Sequence, residues 1–285
     1  MKFLSFGLLL GLPMLASALR RRASTRPILL ASTIGPIDAG IVQALEDGFE
    51  RETGIHVRQT GAGTGAALDI ARQGSVDLVL VHARALEEKF VAEGFGTERI
   101  DLMYNDFVIL GPANDPAGIK PAGRAIAALK RIADAQALFV TRGDNSGTHV
   151  AEKELWQKAG ISPAGAWYEV YEGGAEGNGP TLLHADEKQA HMLTDRATYL
   201  TVKGRIRLVV LVENDESLRN YMTLIPVSPK RFPEVSHGNA MRFIRWLTDP
   251  QKGQLVIRDF GKESFGEPLF FPNSKEWRGT QKGSR

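Results

Sequence analysis

Cysteine is absent from the 285-residue chain. That excludes disulfides, a thiolate nucleophile and any cysteine-ligated zinc or iron–sulfur centre, so buried apolar side chains must hold the fold together. Aromatic residues make up 8% of the chain, and no basic stripe is interleaved with them. Net charge is only +2, and Arg20, Arg21 and Arg22 carry much of it, so nucleic acid is not an expected partner. The six histidines, His56, His82, His149, His184, His191 and His237, include no tight pair of the kind that ligates a metal. Neither a free metal cation nor a cofactor is therefore expected. Beyond Leu12 no apolar run approaches the ~20 residues that a membrane-spanning helix needs.

The N-terminus has the composition of an address. Lys2 precedes the apolar run Phe3 to Leu12, and Ala16-Ser17-Ala18 supplies the small residues that signal peptidase reads. A cleavable signal peptide over residues 1–18 is expected, with export to the periplasm and a mature chain starting near Leu19. With 43% hydrophobic and 24% charged residues, the remainder has the makings of an ordinary globular protein with material for two domains.

Strand-like and helix-like segments alternate along the mature chain. Ile28 to Ala31 predicts a buried strand and Ile37 to Thr53 a helix, with Ile41, Leu45 and Phe49 on one face. His56 to Gln59 and Val76 to Val81 predict further strands, separated by the glycine loop Gly61 to Gly65 and a short helix from Ala66 to Arg72. Repetition of strand, polar loop and helix implies an α/β fold of mostly parallel sheets, with ligands held off the carboxyl ends of the strands. After Tyr104 to Leu110, the stretch Gly111 to Pro116 breaks the pattern with two prolines, and a second series of units begins. Two lobes joined by two crossings account for this order: residues 19–110 with 213–285, and residues 111–212.

Thr141-Arg142-Gly143-Asp144-Asn145-Ser146-Gly147-Thr148-His149 lies between the apolar run Ala137 to Val140 and a helical pattern from Val150 to Ala159. A loop at a helix start offers free backbone N–H groups and the positive end of the helix dipole. Here it adds the Arg142 guanidinium and the hydroxyls of Ser146 and Thr148. The plain alternative is that Ser146 or Thr148 caps the helix and Arg142 pairs with Asp144. Ser32-Thr33 after the first strand and Gly63-Thr64-Gly65 after the second have the same donor chemistry. Three such loops at corresponding positions suit two facing lobes around one small anion.

Two other readings compete. Gly61-Ala62-Gly63-Thr64-Gly65-Ala66 loosely matches a dinucleotide fingerprint, but it follows the second strand and opens a short helix. Ser146, His149 and Asp144 or Asp195 have the residue types of an exported phosphatase-like or ester hydrolase, although no Gly-x-Ser-x-Gly elbow surrounds Ser146.

Leu30-Ala31-Ser32-Thr33, Gly63-Thr64-Gly65, Val79 to Arg84, Met103 to Pro112, Arg142 to His149 and Leu193 to Leu200 together resemble the substrate-binding protein of tungstate ABC importers. The resemblance covers nearly the whole mature chain. It implies the two-lobed periplasmic binding protein fold (type II-like), no catalytic residue, and capture of tungstate, or molybdate, by a monomer that serves a membrane permease. The implied ligand positions are Ser32, Thr33, Thr64, Arg142, Ser146 and Thr148, with Ala83 as a backbone donor. Two departures stand out: Ile34 and Gly35 replace hydroxyl residues usual in that family, and Asn178 stands between Gly177 and Gly179 where a methionine is usual.

Overall fold

The computed structural model describes residues 26–282. The export signal expected over residues 1–18 lies outside them. The chain runs through β1 (Ile28–Thr33), α1 (Ile34–Asp38), α2 (Ile41–Thr53), β2 (Val57–Ala62), α3 (Thr64–Arg72), β3 (Leu78–Val81) and α4 (Arg84–Ala92). The long strand β4 (Ile100–Gly111) leads to α5 (Ala125–Asp134), β5 (Phe139–Thr141), α6 (Gly147–Ala159), β6 (Tyr168–Val170) and α7 (Asn178–Lys188). Next come β7 (Met192–Asp195), α8 (Arg196–Val202), β8 (Val209–Val212) and β9 (Arg219–Pro226). The chain then passes through α9 (His237–Thr248), α10 (Gly253–Asp259), α11 (Lys262–Phe265), β10 (Phe271–Pro272) and α12 (Lys275–Lys282). No helix of the described residues is long and apolar enough to cross a membrane.

The main sheet runs β10-β4-β9-β3-β1-β2, and β7 and β8 pair with the far half of β4. Pairing is parallel among β1, β2 and β3 and between β5 and β6. The crossing strands β4 and β9 pair antiparallel with each other and with their other neighbours, so the sheet is mixed, where mostly parallel pairing was expected. The reason is the return path: a chain that leaves along one strand and comes back along its neighbour must reverse direction.

Near-continuous apolar strands have both faces covered by helices. Ile28, Leu30, Leu78 and Leu80 pack beneath α2 and α9 with Phe49 and Phe243, while Ala31, Val79 and Val81 pack against α3 with Leu68. Phe107 and Ile109 join α5 and α6 through Leu129 and Trp156, and Val108 and Leu110 face α7 through Leu182 and Ala185. One strand therefore serves two separate groups of cores: Leu102 and Met103 belong to the first and Phe107 to Leu110 to the second.

One expected helix differs from the observed ones for a backbone reason. Gly40 adopts φ 84°, a conformation L side chains rarely take, and splits the expected Ile37–Thr53 helix into α1 and α2. Gln189 (φ 51°) likewise ends α7 at Lys188.

Glu152 on α6 is 2% exposed and accepts hydrogen bonds from Trp156 Nε1 (3.2 Å) and Tyr168 Oη (2.6 Å). Burial pushes its carboxyl up to about 7, against the pull of those bonds. A folded-state value above the unfolded one stabilises the fold fully at acid pH, and that contribution is lost as pH rises through the folded value. Between about pH 4.5 and pH 7 the wild type should therefore lose stability, by roughly 2–3 kcal/mol, that Glu152→Gln keeps. Urea midpoints across that range check it, and parallel pH profiles for the two proteins would refute it.

Candidate functional site

The carboxyl ends of β1, β2 and β3 lie side by side, with Ser32 opposite both Gly61 and Leu80 and Thr33 opposite Ala62. That register gathers Ser32, Thr33, Thr64 and Ala83 along one sheet edge. Ser32 and Thr33 are buried at the end of β1, which runs two residues further than its apolar pattern predicts. Thr33 precedes α1, Thr64 opens α3 and Ala83 precedes α4, so each adjoins a helix start. The Oγ1 atoms of Thr33 and Thr64 are both buried without a hydrogen-bond partner. Two orphaned hydroxyls at one sheet edge are unusual, since buried polar atoms are nearly always paired. The Ser32 hydroxyl donates to the Thr33 carbonyl at 3.2 Å.

The facing half is built on the loop between β5 and α6. Gly143 (φ 69°) and Asn145 (φ 58°) turn it, and Ser146 caps α6, its Oγ accepting from the His149 N–H. The Arg142 side chain is 11% exposed and held on three sides. Its Nε donates to the Gly174 carbonyl (3.2 Å), Nη1 to Asn178 Oδ1 (2.6 Å) and Nη2 to Asp144 Oδ2 (2.5 Å). Gly174 is required here, because a Cβ at that position would lie 1.9 Å from the Arg142 carbonyl oxygen. Asp144 Oδ1 also accepts from the Ser146 N–H at 3.1 Å. Burial opposes ionisation of Asp144, but the Ser146 bonds and the Arg142 charge outweigh it and hold the carboxyl below its ordinary value.

Contact between the halves runs through His82. A Cβ placed on Gly147 would lie 3.7 Å from His82 Cε1, so the start of α6 faces the edge that carries Ala83. Burial holds the His82 imidazole below its ordinary pKa against a hydrogen bond with Asn220, which itself donates to Asn105 Oδ1 across the crossing strands.

All the residues expected to bind are thus found at helix starts or strand ends on the two sides of this junction. The structure also brings in Asn178, which sequence reasoning did not assign to the site, and Asp195, which it weighed only as a hydrolase residue. Asn178 Nδ2 donates to Thr148 Oγ1 (3.0 Å) and to Asp195 Oδ2 (2.6 Å), while Asp195 caps α8 through the Thr198 N–H and Oγ1. The only signal was an asparagine between two glycines, which marks a turn as readily as a site.

The triad geometry of a hydrolase is not formed. His149 Nδ1 accepts from the Asn145 N–H, Ser146 meets His149 through the backbone and not the ring, and Asp144 is committed to Arg142. Burial and then the Lys153 charge hold His149 below its ordinary pKa. Among the described residues no group of three His, Asp or Glu side chains is placed to hold a metal ion.

A family model described as a PBP superfamily domain matches residues 20–251. Over 249 residues the chain is 41% identical to the tungstate-binding protein TupA of Peptoclostridium acidaminophilum, covering 87% of this chain and 86% of that one. Against the tungstate-binding protein TupA of Campylobacter jejuni it is 34% identical, over 84% and 88% of the two chains. The solved structure of tungstate-binding protein TupA from Desulfovibrio alaskensis G20 superposes with a TM-score of 0.81 at 42% identity, over 88% of this chain and all of that one. Sharing both sequence and fold with these proteins over most of its length, the chain belongs to the periplasmic binding protein superfamily and, within it, to the TupA family of tungstate-binding proteins.

Proposed function

We propose that this chain is an exported receptor that captures a tetrahedral oxyanion, tungstate first and molybdate second, and hands it as a monomer to the permease of an ABC importer without turning it over. The observation that carries this reading is the pair of partnerless buried hydroxyls, Thr33 Oγ1 and Thr64 Oγ1, on the edge that faces the α6 start. A dianion taken out of water needs fixed donors to replace its hydration, and the ligand set Ser32, Thr33, Thr64, the Ala83 backbone, Arg142, Ser146 and Thr148 supplies them. The relatives named as tungstate-binding proteins support the choice of anion, and a further relative named as a putative ABC transporter anion-binding protein supports the permease partner. No cofactor enters this function.

The lobes proposed from sequence, 19–110 with 213–285 and 111–212, are carried forward with their crossings shifted. Core membership supports a first crossing between Met103 and Phe107 and a second between Leu218 and Met222. Hinge bending there would close the lobes over the anion. Small-angle scattering should show a more compact particle in saturating tungstate, and an unchanged radius would count against closure. Calorimetry should give tight binding of tungstate and molybdate and far weaker binding of phosphate, with no turnover of chromogenic phosphate or acyl esters. Release of product from either ester would sink the receptor reading in favour of the hydrolase.

A further inference from the structure

His82 stands where the two halves meet, immediately before Ala83 and against the start of α6. The atom it turns to Gly147 is Cε1, 3.7 Å from where a Cβ on that glycine would lie. Cε1 is bonded to both ring nitrogens, so this is the edge over which an imidazolium spreads its charge. Ser146 and Thr148 flank Gly147 in the chain, and an anion held by Ala83 and by that turn lies beside the ring. One ring nitrogen is tied to Asn220. Asn220 gives its Nδ2 to Asn105, so its Oδ1 is left to accept from the imidazole N–H. A proton added at the other nitrogen breaks no hydrogen bond, because His82 makes no second one among the described residues.

Without an anion that proton is disfavoured twice over. Burial holds the imidazole below its ordinary pKa, and the positive end of the α6 dipole lies in front of it. Charged groups on the neighbouring elements do not offset this. Arg84 pairs with Glu88, Arg142 with Asp144 and Asp106 with Arg196, Arg219 lies over the Tyr104 ring, and none of them shifts His82. A dianion beside the ring reverses the balance, since an opposite charge at close range favours the protonated form.

We propose that capture of the oxyanion is coupled to uptake of a proton by His82, so that the receptor holds tungstate more tightly as the pH of its surroundings falls. The inference rests on the receptor function proposed above. The sign follows from linkage. With the higher pKa in the anion-bound form, affinity grows as pH falls from the bound-state value to the free-state one, and it is level above and below that window. A purely structural ring would leave affinity level throughout. His149, the other imidazole near the turn, does not serve, because its Nδ1 accepts from the Asn145 N–H and a proton there would cost that bond.

The test is calorimetry with sodium tungstate at micromolar concentration, in pairs of buffers that differ in ionisation enthalpy, which counts the protons taken up. The wild type should bind about ten-fold more tightly at about pH 6 than at about pH 8, a span in which tungstate stays a dianion, and take up a proton as it does so. His82→Gln, first shown to be folded by circular dichroism, should bind equally well at both pH values and take up none. The ring-proton NMR signal of His82 in the wild type, which depends on no variant, should titrate at a higher pH with tungstate than without. A level profile in the wild type, proton uptake that survives in His82→Gln, or an unmoved His82 titration would overturn the inference and leave the receptor function intact. A wild type that binds no tungstate would overturn that function, and this inference with it.

Discussion

Arg142→Ala should weaken tungstate binding by at least ten- to a hundred-fold, more than the loss of any single hydroxyl in the cleft. A charged hydrogen bond contributes about 1.5–3 kcal/mol, which sets that scale. The structure adds a second term. In the folded protein the guanidinium is already paired with Asp144, so removing it exposes the incoming dianion to a carboxylate that nothing neutralises. Arg142→Ala with Asp144→Asn should therefore recover part of the lost affinity, although each change alone deletes a polar group. Lysine should rescue poorly. Three acceptors, the Gly174 carbonyl, Asn178 Oδ1 and Asp144 Oδ2, are arranged around a planar fork that a single ammonium cannot reproduce. Calorimetry on a variant with an unchanged circular dichroism spectrum decides the matter, and affinity within a few-fold of wild type would place the anion elsewhere.

The largest loss of stability is expected from Arg196→Ala. Arg196, the first residue of α8, is 7% exposed and donates through Nε and Nη2 to both carboxylate oxygens of Asp106, itself 5% exposed in the middle of β4. Glu213 and Glu267 also bond the guanidinium, but both are well exposed and contribute little. Removing the arginine leaves Asp106 charged, buried and unpaired, a situation that costs about 3–5 kcal/mol. The apo Tm should fall by roughly 10 °C. Arg196→Ala with Asp106→Asn should regain much of that loss, because the stranded charge and not the missing bond dominates. A single variant that melts within a degree or two of wild type would show that water reaches Asp106 freely.

Local chemistry made part of this molecule legible in its sequence. The apolar run at Ile28 announced the first strand because both its faces are buried, and the donor-rich loop before α6 announced itself by composition. What stayed hidden was long-range or conformational. Gly40 could have been any helical glycine until its φ of 84° split a helix. Asp106 and Arg196 are 90 residues apart, and no periodicity links them. Asp144 was legible as a neighbour of Arg142 and does brace it, because two residues in one turn can scarcely avoid each other. Asn178 could be seen as unusual, but its side chain bonds three partners drawn from α6, β7 and the Arg142 loop, which only folding brings together.

Strand β4 supplies side chains to both groups of cores without a break. An unfolding event confined to one lobe would have to strip half of that strand from its partners while the other half stayed packed. Each lobe thus guards the other's core, and heating should give one calorimetric transition, not two, with the proposed hinge lying inside the shared strand. Amides along 102–110 should exchange with solvent as slowly as any in the protein, marking the proposed hinge as also the last part to open. On the proposed hinge motion, the lobes would move through each capture cycle without offering a protease a partly unfolded half.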